Sequence, residues 1–288
     1  MKSVTNVTTS RGRHWVGDGF PVRSLLSYAA DPEAVSPFLL LDYAGPHFFA
    51  PADAPRGVGA HPHAGFETVT IVYDGEVAHR DSAGGGGTIG PGDVQWMTAG
   101  AGIVHEELHS ATFTRTGGPF RMVQLWVNLP ARDKQAAPGY QSLRDADIPV
   151  VALPGGAGRV RVIAGEHEGV RGPARTFTPM AIRDIELAAD AEVTLDLPEG
   201  HTSLLVVLSG HVTVNGDEGA GEAEVVHLSR AGTTVRLRAD GASRLLALTG
   251  EPLGEPVVGH GPFVLESEAA LVAAFDDYRN GRFGGLAH

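Results

Sequence analysis

The sequence predicts an all-β chain folded as two tandem β-domains, followed by one short C-terminal helix. Three observations carry this. The 288 residues include 39 glycines and 19 prolines, and short Val/Leu/Ile runs lie between them, a pattern of many turns and short strands rather than long helices. The second half repeats the first: Glu67 to Val77 overlays Thr202 to Val212, with Gly75 on Gly210, and Thr98 to Gly100 overlays Arg230 to Gly232. Helical spacing occurs at Leu271, Ala274, Phe275 and Tyr278, near the end of the chain. The length also exceeds what one small domain needs, so two domains are expected.

Taken in order, residues Lys2 to Ser27 alternate polar and apolar and read as edge strands. Phe38 to Tyr43 is apolar enough for a fully buried strand. Ala44 to Ala60, rich in Pro, Gly and aromatics, reads as a loop. Glu67 to Tyr73 is a strand, Asp74-Gly75 a hairpin turn, and Val77 begins the return strand. Gly84 to Gly87 is a flexible loop; it lacks the Gly-Lys-Ser/Thr ending and following helix of a phosphate cradle. Strands through Trp96, His105 and Arg121–Leu129 complete a first domain at residues 1–130. Residues 131–139 read as a linker, 140–265 as the second β-domain, and 266–288 as helix and tail, with Ser267 the N-cap and Gly281 the stop.

The chemistry concentrates between His61 and Glu107. In an extended strand, side chains two apart share a face, so His61 and His63 form one converging pair and His105 and Glu107 another. Three imidazoles and a carboxylate suit Fe(II), Mn, Ni or Cu better than a closed structural zinc site, and they leave positions open on an octahedral ion. The choice of carboxylate stays open. Glu106 points away from His105 on a regular strand. Glu67 follows His63 by the spacing of the acid in the general cupin pattern His-x-His-x(3,4)-Glu, and Glu107 shares a face with His105. A carboxylate beside the metal but not bound to it is a candidate general base. The overlay of the two halves puts the four ligand positions on Asp196, Pro198, Leu237 and Ala239, which cannot hold a metal, so the second domain reads as scaffold. The other histidines, from His14 to His288, read as surface or packed groups, with only His79 and His109 near the pocket. Trp96, Trp126, Phe48 and Phe49 read as packing, with an aromatic wall for a planar ligand as the alternative.

Composition excludes several classes. Cysteine is absent, so no disulfide, thiolate ligand or thiol nucleophile exists. A net charge of −12 without a basic block disfavours nucleic acid and anionic membranes as partners. No apolar signal segment or bilayer-length run is present, and a cytoplasmic protein is expected.

The motifs His61-Pro-His63-x-Gly-Phe-Glu67, Pro91 to Gly100, Gly102-Ile-Val-His105-x-Glu107, Gln124 to Leu129 and Glu251 to Phe263 resemble the pirin family, over nearly the whole chain. The resemblance implies a bicupin, two β-barrel or β-sandwich domains with one metal, usually Fe(II), in the first. It assigns His61, His63, His105 and Glu107 as ligands and leaves Glu67 as a pocket or supporting residue. Gly75 falls one position later than the general cupin pattern expects, a departure that pirins share. The resemblance implies either of two functions. One is a quercetin 2,3-dioxygenase-like oxidoreductase acting on a flavonol and O2, with Glu107 or Glu67 taking a proton. The other is a metal-containing regulator that works through a protein partner, with little turnover of its own.

Overall fold

The structure, a computed structural model, describes residues 1–10 and 12–286, so His288 lies outside the described residues. It is almost entirely antiparallel β-structure and divides into two compact units. One comprises Gly12–Pro32, Phe38–Asp145 and Leu253–His288; the other comprises Met1–Arg11, Glu33–Pro37 and Ala146–Pro252. They are called the N-unit and the C-unit below. Each pairs a seven-stranded sheet with a four-stranded one, as a cupin barrel does.

In the N-unit the large sheet runs Gly139–Leu143, Val94–Thr98, Phe66–Asp74, Gly118–Asn128, Phe38–Phe49, Phe20–Ser27, His14–Val16. The small sheet runs Gly57–His63, Ile103–His109, Val77–Asp81, Gly86–Ile89. The C-unit repeats this order, with Val4–Thr9, Glu224–Leu228, Thr202–Ser209, Ser243–Gly250, Met180–Leu187, Gly158–Ala164 and Val150–Leu153 in the large sheet. Its small sheet is Glu192–Asp196, Thr234–Ala239, His211–Val214, Glu218–Gly221.

The position-for-position match exposes an exchange of edge strands. Val4–Thr9, from the start of the chain, pairs with Glu224–Leu228 and completes the C-unit's sheet. Gly139–Leu143, expected to open the second domain, pairs with Val94–Thr98 and completes the N-unit's. The boundaries read from sequence therefore differ from the observed units at four places. Residues 1–11 and 33–37 leave the first half, and 140–145 and 253–265 leave the second.

The expected linker at 131–139 is also no free connection. Lys134 is fully buried, and its ammonium donates to Gly65 O (2.9 Å), Val264 O (2.9 Å) and Asn128 Oδ1 (2.7 Å), which uses all three protons. Burial pushes this amine down to about 8, and Glu266 and Glu255 act in the opposite direction. Ala136 O accepts the Ala101 amide and lies 2.1 Å from where a Cβ on Gly100 would sit, at φ +51°, so glycine is required there. Polar, Ala/Gly/Pro composition suggested a solvated tether; the same residues instead satisfy buried carbonyls.

Two further differences follow from backbone pairing. The loop expected over Ala44–Ala60 is mostly strand: Phe38–Phe49 keeps pairing with Gly118–Asn128, and Gly57–His63 pairs with Ile103–His109. A short helix, Ala111–Thr116, capped by Ser110 Oγ accepting from the Phe113 amide, has no periodic signal in so few residues. The C-terminal helix is present as Glu268–Arg279, with Ser267 capping the Ala270 amide. Its Leu271 and Ala274 pack with Phe263, Leu265 and Phe283 against Ala64 and Val104, the neighbours of His63 and His105. Each large apolar side chain buried there contributes about 1.5–3 kcal/mol.

The two interiors differ. In the N-unit, Phe20, Val22, Phe49, Val72, Val77, Ile89, Phe113, Phe120 and Met122 form an apolar cluster. In the C-unit an apolar cluster takes in inward positions from both sheets, including Leu195, Leu205, Val207, Val214, Val235 and Leu237. Among the described residues no helix is long and apolar enough to cross a membrane.

Candidate metal centre

The two ligand pairs lie on neighbouring strands. Ile103–His109 sets His105 opposite His61 and Ile103 opposite His63. The register then shifts so that Glu107 faces Val58, giving Gly57–His63 one extra residue. Such a bulge lets Val58 and His61, which strict alternation would put on opposite faces, both turn inward, and both line one cavity. Gly57 makes the approach possible: at φ +154°, a Cβ there would lie 2.2 Å from Glu107 O.

The three imidazoles meet. Ring centroids are 4.2 Å apart for His61–His105 and 4.9 Å for both His61–His63 and His63–His105. His61 Nδ1 lies 2.8 Å from Gly59 O and His63 Nδ1 3.4 Å from Pro262 O. A carbonyl only accepts, so Nδ1 carries the proton in both rings and Nε2 keeps a free lone pair. His105 Nε2 is buried without a hydrogen-bond partner. Burial, then the neighbouring His61, pushes His63 down to about 3. Burial, then His63, His61 and His79, holds His105 well below its usual value. His63 and His105 are thus neutral at physiological pH, the form in which imidazole binds a metal.

Glu107 is held from behind. Its Oε1 accepts from Gln95 Nε2 and from Thr70 Oγ1 (3.2 Å), and Tyr140 OH donates to Gln95 Oε1 (3.2 Å). Burial, followed by the Glu107 charge, pushes the Tyr140 phenol up to about 12, so it stays a donor. Donor atoms of His61, His63 and His105 lie within 4.8 Å of one another, and so do those of His79, His105 and Glu107. His105 belongs to both groups. A buried donor lacking a partner, neutral imidazoles and an anchored carboxylate are what a divalent transition ion requires, so the residues fit such an ion.

The cavity over these groups has a volume of about 240 Å³. Val16, Phe20, Val22, Val58, Met122 and Trp126 give it apolar walls; Asp42 and Gln124 are polar points, and Pro262 closes one side. Trp126 packs on Phe66 (4.3 Å) and His63 (5.2 Å), so the aromatic wall is made by this tryptophan. Trp96 is buried on the other face of the sheet, and Phe48 is exposed.

Glu67 requires correction. It does not line the cavity. Its register partners are Thr98 and Val127, whereas Thr70, one step out of phase with it, lies opposite Gln95 and Gln124 on the site face. Glu67 thus points through the sheet to the side away from the ligands, where Thr98 Oγ1 donates to it at 2.7 Å. Burial pushes its carboxyl up to about 7, against the lowering effect of Thr98 and Trp96. Counting from His63 failed because the chain turns at Ala64-Gly65, with Gly65 at φ +88°. Glu106 faces outward to Arg80, as alternation predicts. His109 is packed among Phe20, Phe49, Phe113 and Phe120 and donates to Gly19 O (3.0 Å), away from the ligands.

The structure brings His79, expected near the pocket, into the group with His105 and Glu107. It pairs across the sheet with Glu107, its Nδ1 lies 3.3 Å from His105 Nδ1, and its Nε2 lies 3.2 Å from Asp81 Oδ2. It stacks on Tyr140 with centroids 5.1 Å apart and planes at 21°. The His79-x-Asp81 spacing, two residues on a strand, was the available signal. Burial raises Asp81, but hydrogen bonds from His79 and the Gly85 and Ala83 amides outweigh it and hold the carboxyl low.

Comparison with known proteins agrees with this architecture. The Pirin family model matches residues 19–127, and the Pirin C-terminal cupin domain matches 182–284. A Pseudomonas aeruginosa protein with the provisional name of quercetin 2,3-dioxygenase is 57% identical over 283 residues, covering 98% of this chain and 99% of that one. A pirin-like protein of Caulobacter vibrioides is 42% identical over 270 residues, 92% of this chain and 94% of that one. The crystal structure of a quercetin 2,3-dioxygenase from Acinetobacter baumannii superposes with a TM-score of 0.97 at 50% identity, with 100% of both chains covered. Matches to both domains, and identity at this level over almost the full length, place the chain in the pirin family as a bicupin.

Proposed function

We propose that this chain is a metal-dependent dioxygenase that opens the central ring of a flavonol such as quercetin with O2. The observation that carries this reading is a cluster of imidazoles and a carboxylate at an apolar cavity, in a chain whose relatives are named for that reaction. His61, His63, His105 and Glu107 would hold one divalent ion, Fe(II) first, with Mn, Ni, Cu and Zn as alternatives. When bound, such an ion supplies Lewis acidity toward the flavonol hydroxyl and ketone and the redox coupling to O2.

The chain's own groups do the remaining work. Val16, Phe20, Val58, Met122 and Trp126 offer apolar and aromatic surface to a planar substrate and exclude water from it. Gln95 and Thr70 engage Glu107 Oε1, and Glu107, the candidate acid that lines the cavity, would take the substrate hydroxyl proton. Glu67, on the far side of the sheet, has no part in this step. The test is loss of quercetin absorbance and uptake of O2 by metal-reconstituted protein, with His61→Ala lowering turnover at least about 100-fold. Metal-replete protein that consumes no O2 with any flavonol overturns the reading.

A further inference from the structure

We infer that Asp81 and His79 form a hydrogen-bonded relay behind His105 that determines which ring nitrogen His105 presents to the metal. The inference rests on His105 being a ligand, but not on the reaction catalysed. The direction of each bond follows by elimination. The Asp81 carboxylate only accepts: Oδ1 takes the Ala83 and Gly85 amides, both at 2.9 Å, and Oδ2 faces His79 Nε2 at 3.2 Å. His79 Nε2 must therefore donate. With the ring proton on Nε2, His79 turns its other nitrogen, Nδ1, to His105 Nδ1 at 3.3 Å as the acceptor of that pair, so His105 Nδ1 donates to it. That leaves the proton off His105 Nε2, the buried atom with no partner, in the three-imidazole cluster.

His61 and His63 reach the same tautomer through backbone carbonyls, Gly59 O and Pro262 O. His105 lies at the centre of its sheet, where backbone carbonyls are committed to strand pairing, and a side chain takes their place. Three contacts hold the relay still. Val77–Asp81 pairs in register with Ile103–His109, Tyr140 stacks on the His79 ring, and two amides of the turn clamp Asp81. In the C-unit, the position of His79 is Val214, beside positions that hold no ligands. His79 and Asp81 are positioning residues: they act through His105 and touch neither metal nor substrate.

Asp81→Asn is the discriminating variant. Its amide oxygen can still accept from Ala83 and Gly85, but its NH2 then faces His79 Nε2. The order of protons reverses, His79 Nδ1 becomes a donor, and His105 carries its proton on Nε2, where it blocks ligation. Long-range 1H–15N spectra of the metal-free protein are expected to show His105 as the Nδ1–H tautomer in the natural chain and as Nε2–H in Asp81→Asn. Anaerobic titration with Fe(II), and separately with Ni(II), is expected to show 10- to 100-fold weaker binding in Asp81→Asn and His79→Ala, about the effect typical of residues that orient a metal-bound histidine. An Nε2–H tautomer of His105 in the natural chain overturns the inference, as does Asp81→Asn binding either metal within about twofold of the natural chain. The natural chain's spectrum decides the matter even if a variant fails to fold, and neither readout depends on dioxygenase activity.

Discussion

The N-unit and the C-unit share one strand order and differ in what points inward. Matching the sheets through Val77 and Val212 puts Glu107 at Leu237, His105 at Val235, His61 at Leu195, His63 at Leu197 and His79 at Val214. All five C-unit positions are buried and apolar, at 0–3% exposure. Alternation and turns therefore specify the barrel whether its inward residues are polar or not. Polar inward residues need a further layer. Thr70, Gln95, Gln124 and Tyr140 satisfy Glu107 and one another, and Asp81 serves His79, as a buried network must if it is not to cost stability. The C-unit has apolar residues at the five matching positions, and they form part of a continuous apolar core.

The largest expected effect comes from putting an N-unit residue into the C-unit. Val235→His places an imidazole in a cluster that offers it no hydrogen-bond partner and no spare volume. An unpaired buried polar group costs about 1–3 kcal/mol and overpacking about as much again, so a loss of roughly 4 kcal/mol is expected in denaturant unfolding. Metal affinity should not change. A neutral result would mean that the C-unit interior tolerates polar groups and that the contrast between the units is one of sequence only.

Glu67 gives the next effect, since the corresponding C-unit position is Thr202, which does not titrate. Its carboxyl lies near 7 when folded, against 4.5 as the ordinary value, because burial disfavours the charge. A group that holds its proton more tightly when folded stabilises the fold fully below its unfolded pKa, and that contribution is lost as pH rises through the folded one. Stability should therefore fall between about pH 4.5 and pH 7.5, by on the order of 3 kcal/mol at most. Glu67→Gln should flatten this slope. The check is a urea midpoint measured across that range for both chains; parallel slopes would show that Glu67 is not the group responsible.

The site was more legible in the sequence than its support. His61-x-His63 and His105-x-Glu107 could be read because each pair lies within one strand, where spacing alone gives the face. Glu67 was misplaced because the count from His63 crosses the turn at Gly65. His79 could not be ranked, because only the register between two strands brings it to His105 and Glu107. The repeat was visible through Gly75 and Gly210, and the C-unit positions that match the N-unit ligands are apolar. The overlay nevertheless ran one residue off at His61 and His63 and two off at His105 and Glu107, since loops of unequal length separate these strands from the matched turn. The exchange of edge strands left no local signal: Val4–Thr9 and Gly139–Leu143 look like any short strand, and pairing partners are a property of the fold.

The C-terminal helix supplies the smallest effect and sharpens the comparison in a different way. Glu268–Arg279 belongs to the N-unit, and it packs through Leu271 and Ala274 beside the neighbours of His63 and His105. It is nevertheless separate from the bonds that orient His63. Pro262 O, which accepts from His63 Nδ1, also accepts the Ala64 amide (3.3 Å), while the Val264 amide donates to Ala64 O (3.0 Å) and Val264 O accepts from Lys134. Ser267→Ala removes only the hydroxyl that caps the Ala270 amide. A lost cap costs about 1 kcal/mol, or about 2–4 °C in Tm for a unit of this size. Metal affinity should be unchanged, because the strand pairing and Lys134 hold the Pro262 carbonyl without the helix. If titration of Ser267→Ala shows metal binding weakened along with Tm, the helix itself positions His63, and the N-unit's site extends to the end of the chain.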